Sequence, residues 1–141
     1  MYLIDTNIWL ERLLEQQQSD VVGEFLSAIP SDQLMMTDFT LHSIALALTR
    51  RKLYIAFNQF LQDTFIDGSV GLLTLQPGDL SSVLTSMESQ RLDYDDAYQY
   101  VVAEYFNLTI ISFDSDFDRT LKGRKIPVDI LQFRQSTDPN E

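Results

Sequence analysis

The sequence contains no cysteine and a single histidine, His42. The first absence excludes disulfides, iron–sulfur clusters, thiolate zinc sites and a thiol nucleophile. The second excludes a poly-histidine metal centre. Basic residues are also scarce: ten Lys and Arg stand against 21 Asp and Glu, a formal net charge of −11. Such a chain lacks the broad basic face that backbone-driven nucleic-acid binding requires. No low-complexity linker, Gly-rich phosphate loop or internal repeat occurs. No apolar run approaches the roughly 18 residues of a membrane span. The opening Met1-Tyr2-Leu3-Ile4-Asp5 has no basic stretch before its short apolar run, unlike a signal peptide. The expected setting is the cytoplasm, without membrane contact.

What is present suits one folded domain. Hydrophobic residues make up 45 % of 141, enough to bury a core without covalent staples. The expected organisation is a single domain over 1–133 and a flexible polar tail over 134–141. Tyr2 to Ile4 reads as a short buried strand. Helical spacing follows in Ile8, Leu10, Leu13, Leu14 and again in Val21, Val22, Phe25, Leu26, Ile29. Leu34 to Thr37 is an apolar run of strand length, after which Thr37 or Asp38 caps a helix to about Arg51. Ile55 to Ile66 is helical, Val70 to Leu75 a strand, Leu80 to Gln90 a helix. Asp93 caps a helix ending near Phe106, Leu108 to Phe113 is a strand, and Val128 to Leu131 is a last short strand. Strands alternating with helices predict an α/β fold, a mostly parallel sheet covered on both faces.

In such sheets, sites form beyond the carboxyl ends of the strands. Asp5 follows the first strand, Thr37-Asp38 the second, and Asp114 and Asp116 the strand ending near Phe113. Each acid has an ordinary role open to it: Asp5 and Asp93 as helix caps, Asp114 to Asp118 as a solvated Asx turn. Together they are harder to explain that way. Residues 91–118 hold seven acids and one base, Arg91. Crowded carboxylates repel unless a cation compensates them. Oxygen donors of this kind suit Mg²⁺ or Mn²⁺, and metal-assisted phosphodiester hydrolysis is the natural chemistry. No Ser/His/Asp or Cys/His arrangement competes.

Three stretches carry a resemblance. Leu3-Ile4-Asp5-Thr6-Asn7, Asp96-Ala97 leading a helix with Ala103, and Ile111-Ser112-Phe113-Asp114-Ser115-Asp116-Phe117 resemble, in order and spacing, the acidic motifs of the PIN domain family, in particular the short VapC-type toxin ribonucleases. The resemblance implies a three-layer α/β/α fold with a five-stranded parallel sheet. It also implies a Mg²⁺- or Mn²⁺-dependent ribonuclease, an antitoxin partner and a homodimer. Asp5, Asp96 and Asp114 match the family's metal-binding acids, and Asp116 a further acid of many members. Asn7 and Ser112 match polar residues beside the site. Arg119, Lys122, Arg124 and Lys125, close after the last motif, are the expected RNA-contacting bases.

One position departs from the family pattern. Thr37, Thr40 and Ser43 fit a Ser/Thr–x–x–Thr–x–x–Glu spacing, so Ser43 stands where the family has Glu. Asp38, His42 and Glu11 are the candidate substitutes. Asp38 and His42 share a helix face, whereas Asp38 points about 140° away from Ser43 around a helix and would have to reach the site from the strand end. The departure leaves a second function open, a catalytically degenerate PIN-like module serving in binding or assembly. A two-component receiver would need an acidic pair after the first strand, where only Asp5 stands.

Overall fold

The computed structural model describes residues 1–137. Among them the sheet has four parallel strands: β1 (Tyr2–Ile4), β2 (Leu34–Thr37), β3 (Gly71–Leu73) and β4 (Thr109–Ile111), in the order β3-β2-β1-β4. Tyr2 pairs with both Leu34 and Thr109, and Met35 with Gly71. A side chain at Gly71 would meet the Met35 thioether, which would have to shift to admit it.

Alternation along the strands divides the core into two layers. Leu3 and Ile110 face one side, with Val83, Ala97, Val101, Val102 and Phe117. Ile4, Met36 and Ile111 face the other, with Ile8, Phe25, Ile44, Leu48 and Phe60. The first side is covered by α5 (Leu80–Gln90) and α6 (Tyr94–Tyr105). The second is covered by α1 (Thr6–Leu13), α2 (Ser19–Ala28), α3 (Asp38–Arg50), α4 (Tyr54–Leu61) and α7 (Pro127–Ser136). The three-layer α/β/α expectation therefore holds. Trp9 packs edge-on against Phe60 in the second layer, with ring centroids 5.6 Å apart. Its Nε1 has no hydrogen-bond partner among the described residues.

Two expectations need correction. The segment Val128–Leu131 is helical, and the sheet has four strands where five were expected. Pro127 supplies a fixed φ at the first helical position, and the Asp129 carboxylate accepts the Ile126 N–H at 3.0 Å, so this sequence opens a helix. Among the described residues a single bridge stands where a fifth strand was expected: Lys125 N–H donates to Ile110 O at 2.8 Å and Ser112 N–H to Lys125 O at 3.1 Å. The expected polar tail also begins inside α7, which continues through Ser136. The part of that tail over 138–141 lies outside the described residues.

The helix starts that matter for the site are set by local chemistry. Thr37 Oγ1 caps α3 by accepting Thr40 N–H at 3.0 Å, and Asp93 caps α6 by accepting Asp96 N–H at 3.1 Å. Arg91 adopts a left-handed conformation (φ 56°) that ends α5 and turns the chain into α6.

Candidate metal centre

Asp5 stands at the carboxyl end of β1, where its N–H donates to Ile111 O of the neighbouring β4 at 3.0 Å. This pairing brings Ser112, the next residue of that chain segment, beside the Asp5 side chain. Asp5 is 7 % exposed, and its carboxylate accepts four hydrogen bonds. Oδ1 takes Thr6 N–H at 2.8 Å and Gln99 Nε2 at 2.9 Å; Oδ2 takes Ser112 Oγ at 2.7 Å and Asn7 Nδ2 at 3.4 Å. A carboxylate has about four lone-pair sites, so all are occupied. Burial still dominates and pushes the Asp5 carboxyl above its usual range, against the lowering effect of the Gln99, Ser112 and Thr6 donors.

Ser112 and Asn7 form the clasp between the first and last motifs. Ser112 Oγ donates to Asp5 and accepts from Asn7 Nδ2 at 3.1 Å and Asp114 N–H at 3.0 Å, which fills its capacity. Asn7 Oδ1 accepts Phe113 N–H at 3.0 Å. The two residues thus join the chain after β1 to the chain after β4 beside Asp5.

Gln99 was missed by sequence reasoning. It is 1 % exposed, and its amide ties three elements together. Nε2 donates to Asp5 Oδ1 and to Thr40 Oγ1 at 2.7 Å, while Oε1 accepts from Thr37 Oγ1 at 2.7 Å. Thr40 Oγ1 in turn lies 3.0 Å from Thr6 Oγ1. The amide orientation is fixed by this network, since the flipped form would set its oxygen against the Asp5 carboxylate. A signal existed: Gln99 is the polar exception in the run Ala97 to Ala103 of a helix buried on all sides there, three residues after Asp96.

Asp96, Asp114 and Asp116 are the acids that the structure gathers. Each offers a carboxylate oxygen, and these oxygens lie within 4.8 Å of one another. Asp96 is buried on the first turn of α6; Asp114 and Asp116 are half-buried on the turn after β4. Asp114 Oδ1 accepts Asp116 N–H at 2.9 Å, which shapes that turn. The Asp96 carboxyl is pushed up to about 8, first by burial, then by a hydrogen bond shared with Asp114 and by the charges of Asp114, Asp93 and Asp5. Asp5 therefore adjoins the group through its field but is not part of it. Asp93, by contrast, acts as the helix cap.

The other expected residues are placed elsewhere. Asp38 accepts Thr74 Oγ1 at 2.9 Å and Tyr98 OH at 2.8 Å, so it fastens the chain after β3 to α6. His42 is exposed on α3, and Ser43 is half-buried one turn beyond Thr40. Glu11 accepts Gln18 N–H at 2.9 Å in the α1–α2 turn. Two of the four expected RNA contacts are engaged by acids: Arg119 with Asp116 at 3.3 Å and Arg124 with Asp118 at 3.0 Å. Lys122 and Lys125 form no ion pair among the described residues, where Lys125 is exposed and Lys122 half-buried.

Comparison with known proteins gives the family and the fold. The family model described as PIN domain matches residues 2–122. The toxin–antitoxin complex from Klebsiella pneumoniae shares the fold at TM-score 0.72 and 18 % identity, over 90 % of this chain and 98 % of that one. Mycobacterium tuberculosis VapC20, a sarcin–ricin loop cleaving toxin, does so at 0.73 and 15 % identity, over 90 % and 100 %. FitAcB from Neisseria gonorrhoeae follows at 0.71 and 17 % identity, over 91 % and 99 %. No functionally described protein matches the chain by sequence.

Proposed function

The chain belongs to the PIN domain family, and from that premise we propose that it is an endoribonuclease. It hydrolyses RNA phosphodiester bonds with Mg²⁺ or Mn²⁺ and is the toxin of a toxin–antitoxin pair, restrained by an antitoxin protein and working as a homodimer. The observation that carries this reading is the group of Asp96, Asp114 and Asp116 at the carboxyl edge of the sheet. The toxin–antitoxin complexes and the RNA-cleaving toxin among proteins of the same fold support it.

The donor set fits a hard divalent cation. All the ligands on offer are oxygens, and the Asp96 carboxyl, raised first by burial and then by the neighbouring acids, is one that a bound cation would relieve. Asp96, Asp114 and Asp116 would hold the ion. Asp5 would lend its charge from behind and could ligate only by yielding one of its four hydrogen bonds. The ion supplies positive charge against the phosphate and acidifies water at neutral pH. The chain's own residues bind and orient. Gln99, Ser112 and Asn7 fix Asp5. Asp96 carries the raised carboxyl of the group, pushed up first by burial and then by the neighbouring Asp114. Lys122 and Lys125, which form no ion pair among the described residues, are available to contact the RNA backbone.

A second reading has one specific observation in its favour. Ser43 stands at the place of the family Glu, and among the described residues the candidate substitutes Asp38 and Glu11 are hydrogen-bonded elsewhere while His42 is exposed. In that reading the module has lost catalysis and serves in binding or assembly. One assay separates the two: purified protein on mixed single-stranded RNA with Mn²⁺ or Mg²⁺, beside Asp114→Asn. Asparagine keeps the oxygen that accepts Asp116 N–H, so the turn survives. Cleavage by the parent, lost by ~100-fold or more in the variant, is expected, beyond what even an outer-shell partner costs. An intact, folded parent that neither cleaves nor binds the ion in calorimetry leaves only the binding module.

A further inference from the structure

Of the three gathered acids, Asp116 already carries a cation. Arg119 Nη2 lies 3.3 Å from Asp116 Oδ2 across the short turn Ser115–Arg119, and the two side chains are 40 % and 47 % exposed. Arg124, five residues on, behaves differently. Its Nε and Nη2 reach both oxygens of Asp118 at 3.0 and 3.1 Å, its Nη1 donates to Ser112 O at 3.0 Å, and its side chain is only 17 % exposed. Arg124 is a built-in brace for the loop that follows β4. Arg119 is held by one contact, at the edge of the acidic group, and nothing else in the described residues receives its guanidinium.

A guanidinium keeps its proton under all relevant conditions. It can therefore leave Asp116 only by moving, and a divalent ion drawn to the same carboxylate repels it. The exposed pair is weak, so the exchange is open to a stronger competitor. Once displaced, the long side chain stays at the rim where a substrate phosphate would approach, and a planar guanidinium is suited to bidentate phosphate contact. We infer that Arg119 is a metal-released phosphate clamp: it neutralises Asp116 in the metal-free protein, yields that carboxylate to the divalent ion, and then receives an RNA phosphate. This rests on the metal-dependent reading above. Metal and arginine are then linked reciprocally, so removing Arg119 must strengthen metal binding while weakening RNA binding.

The test uses the full chain and an Arg119→Gln variant. Calorimetry with Mn²⁺ should show about two- to fivefold tighter binding in the variant, the worth of one exposed ion pair. In a Mg²⁺ titration followed by ¹⁵N NMR, the Arg119 Nε–H resonance should move while that of Arg124 holds. Binding to a phosphorothioate single-stranded RNA in Mg²⁺ should lose salt dependence in the variant, by about 0.7 in the log–log slope for one phosphate contact, with no such loss in chelator. Metal binding by the parent with an unmoved Arg119 resonance and an unchanged affinity in the variant overturns the clamp and leaves the metal site standing. A parent that binds no divalent ion overturns both.

Discussion

Replacing Gln99 by leucine conserves side-chain bulk and removes three buried hydrogen bonds at once. The bond to Asp5 Oδ1 is to a charged acceptor, worth about 1.5–3 kcal/mol. The Thr37 hydroxyl loses its acceptor at Gln99 Oε1, for about 1 kcal/mol more. Thr40 Oγ1 keeps its contact with Thr6, so the third loss is small. The expected destabilisation is therefore about 3 kcal/mol, a large share of the ~5–15 kcal/mol that holds a domain together. Urea unfolding should show a lower midpoint at unchanged slope. The cost should also depend on pH. Asp5 already has a raised carboxyl, and losing the Gln99 donor raises it further. An acid whose folded-state value is raised holds a proton that the unfolded chain has lost, so its stabilising contribution is present at low pH and disappears as pH rises through the folded value. The variant should therefore lose more at alkaline than at acid pH. A loss below about 1 kcal/mol, or one that does not grow as pH rises, refutes the view that Gln99 holds the Asp5 carboxylate.

Asp96 gives a second pH signature. Its carboxyl is raised from 3.8 to about 8, so in chelator the native protein holds an extra proton between those values, and stability should fall as pH rises through that window by at most about 1.4 kcal/mol per pH unit. Unfolding midpoints from pH 5 to 8 measure this; Asp96→Asn should flatten the profile, and a parent profile already flat contradicts the assignment. Ser43→Glu adds an acid one turn beyond Thr40 on α3, the position of the family Glu. It should tighten Mn²⁺ binding by about tenfold in calorimetry, and an unchanged affinity shows that a carboxylate there does not reach the ion.

The layers of the fold were legible because burial on two faces leaves a strong pattern. Leu34 to Thr37 and Tyr2 to Ile4 are strands over the expected residues, and the helices between them follow apolar spacing. The last element was not legible in the same way. Val128-Asp129-Ile130-Leu131 alternates like a strand, and only the proline before it and the side-chain cap by Asp129 decide for a helix. Those are local signals that outweigh alternation over four residues, and a short run gives alternation little statistical force.

The site shows a sharper limit. Asp5, Asp96, Asp114 and Asp116 are equivalent as letters, and the motif order brings all four to one sheet edge. Their chemistry diverges because of partners that the motifs do not specify. Asp5 is saturated by donors, one of which comes from Gln99, 94 residues away. Asp96 and Asp114 have instead each other's charge, and Asp116 has the side chain of Arg119. Hydrogen-bond donors tolerate a buried carboxylate by surrounding it, which also removes its lone pairs from a metal. A neighbouring carboxylate does the reverse, leaving lone pairs exposed and charge uncompensated. The same residue type at the same edge is thus enclosed by donors in one place and crowded by other carboxylates in another, and Gln99 is one of the partners that make the difference. That is why the net charge of −11 does not measure the site: in the proposed reading, the acids crowded by like charge, rather than the one enclosed by donors, would draw a divalent ion, and through it a phosphate, to an otherwise acidic protein.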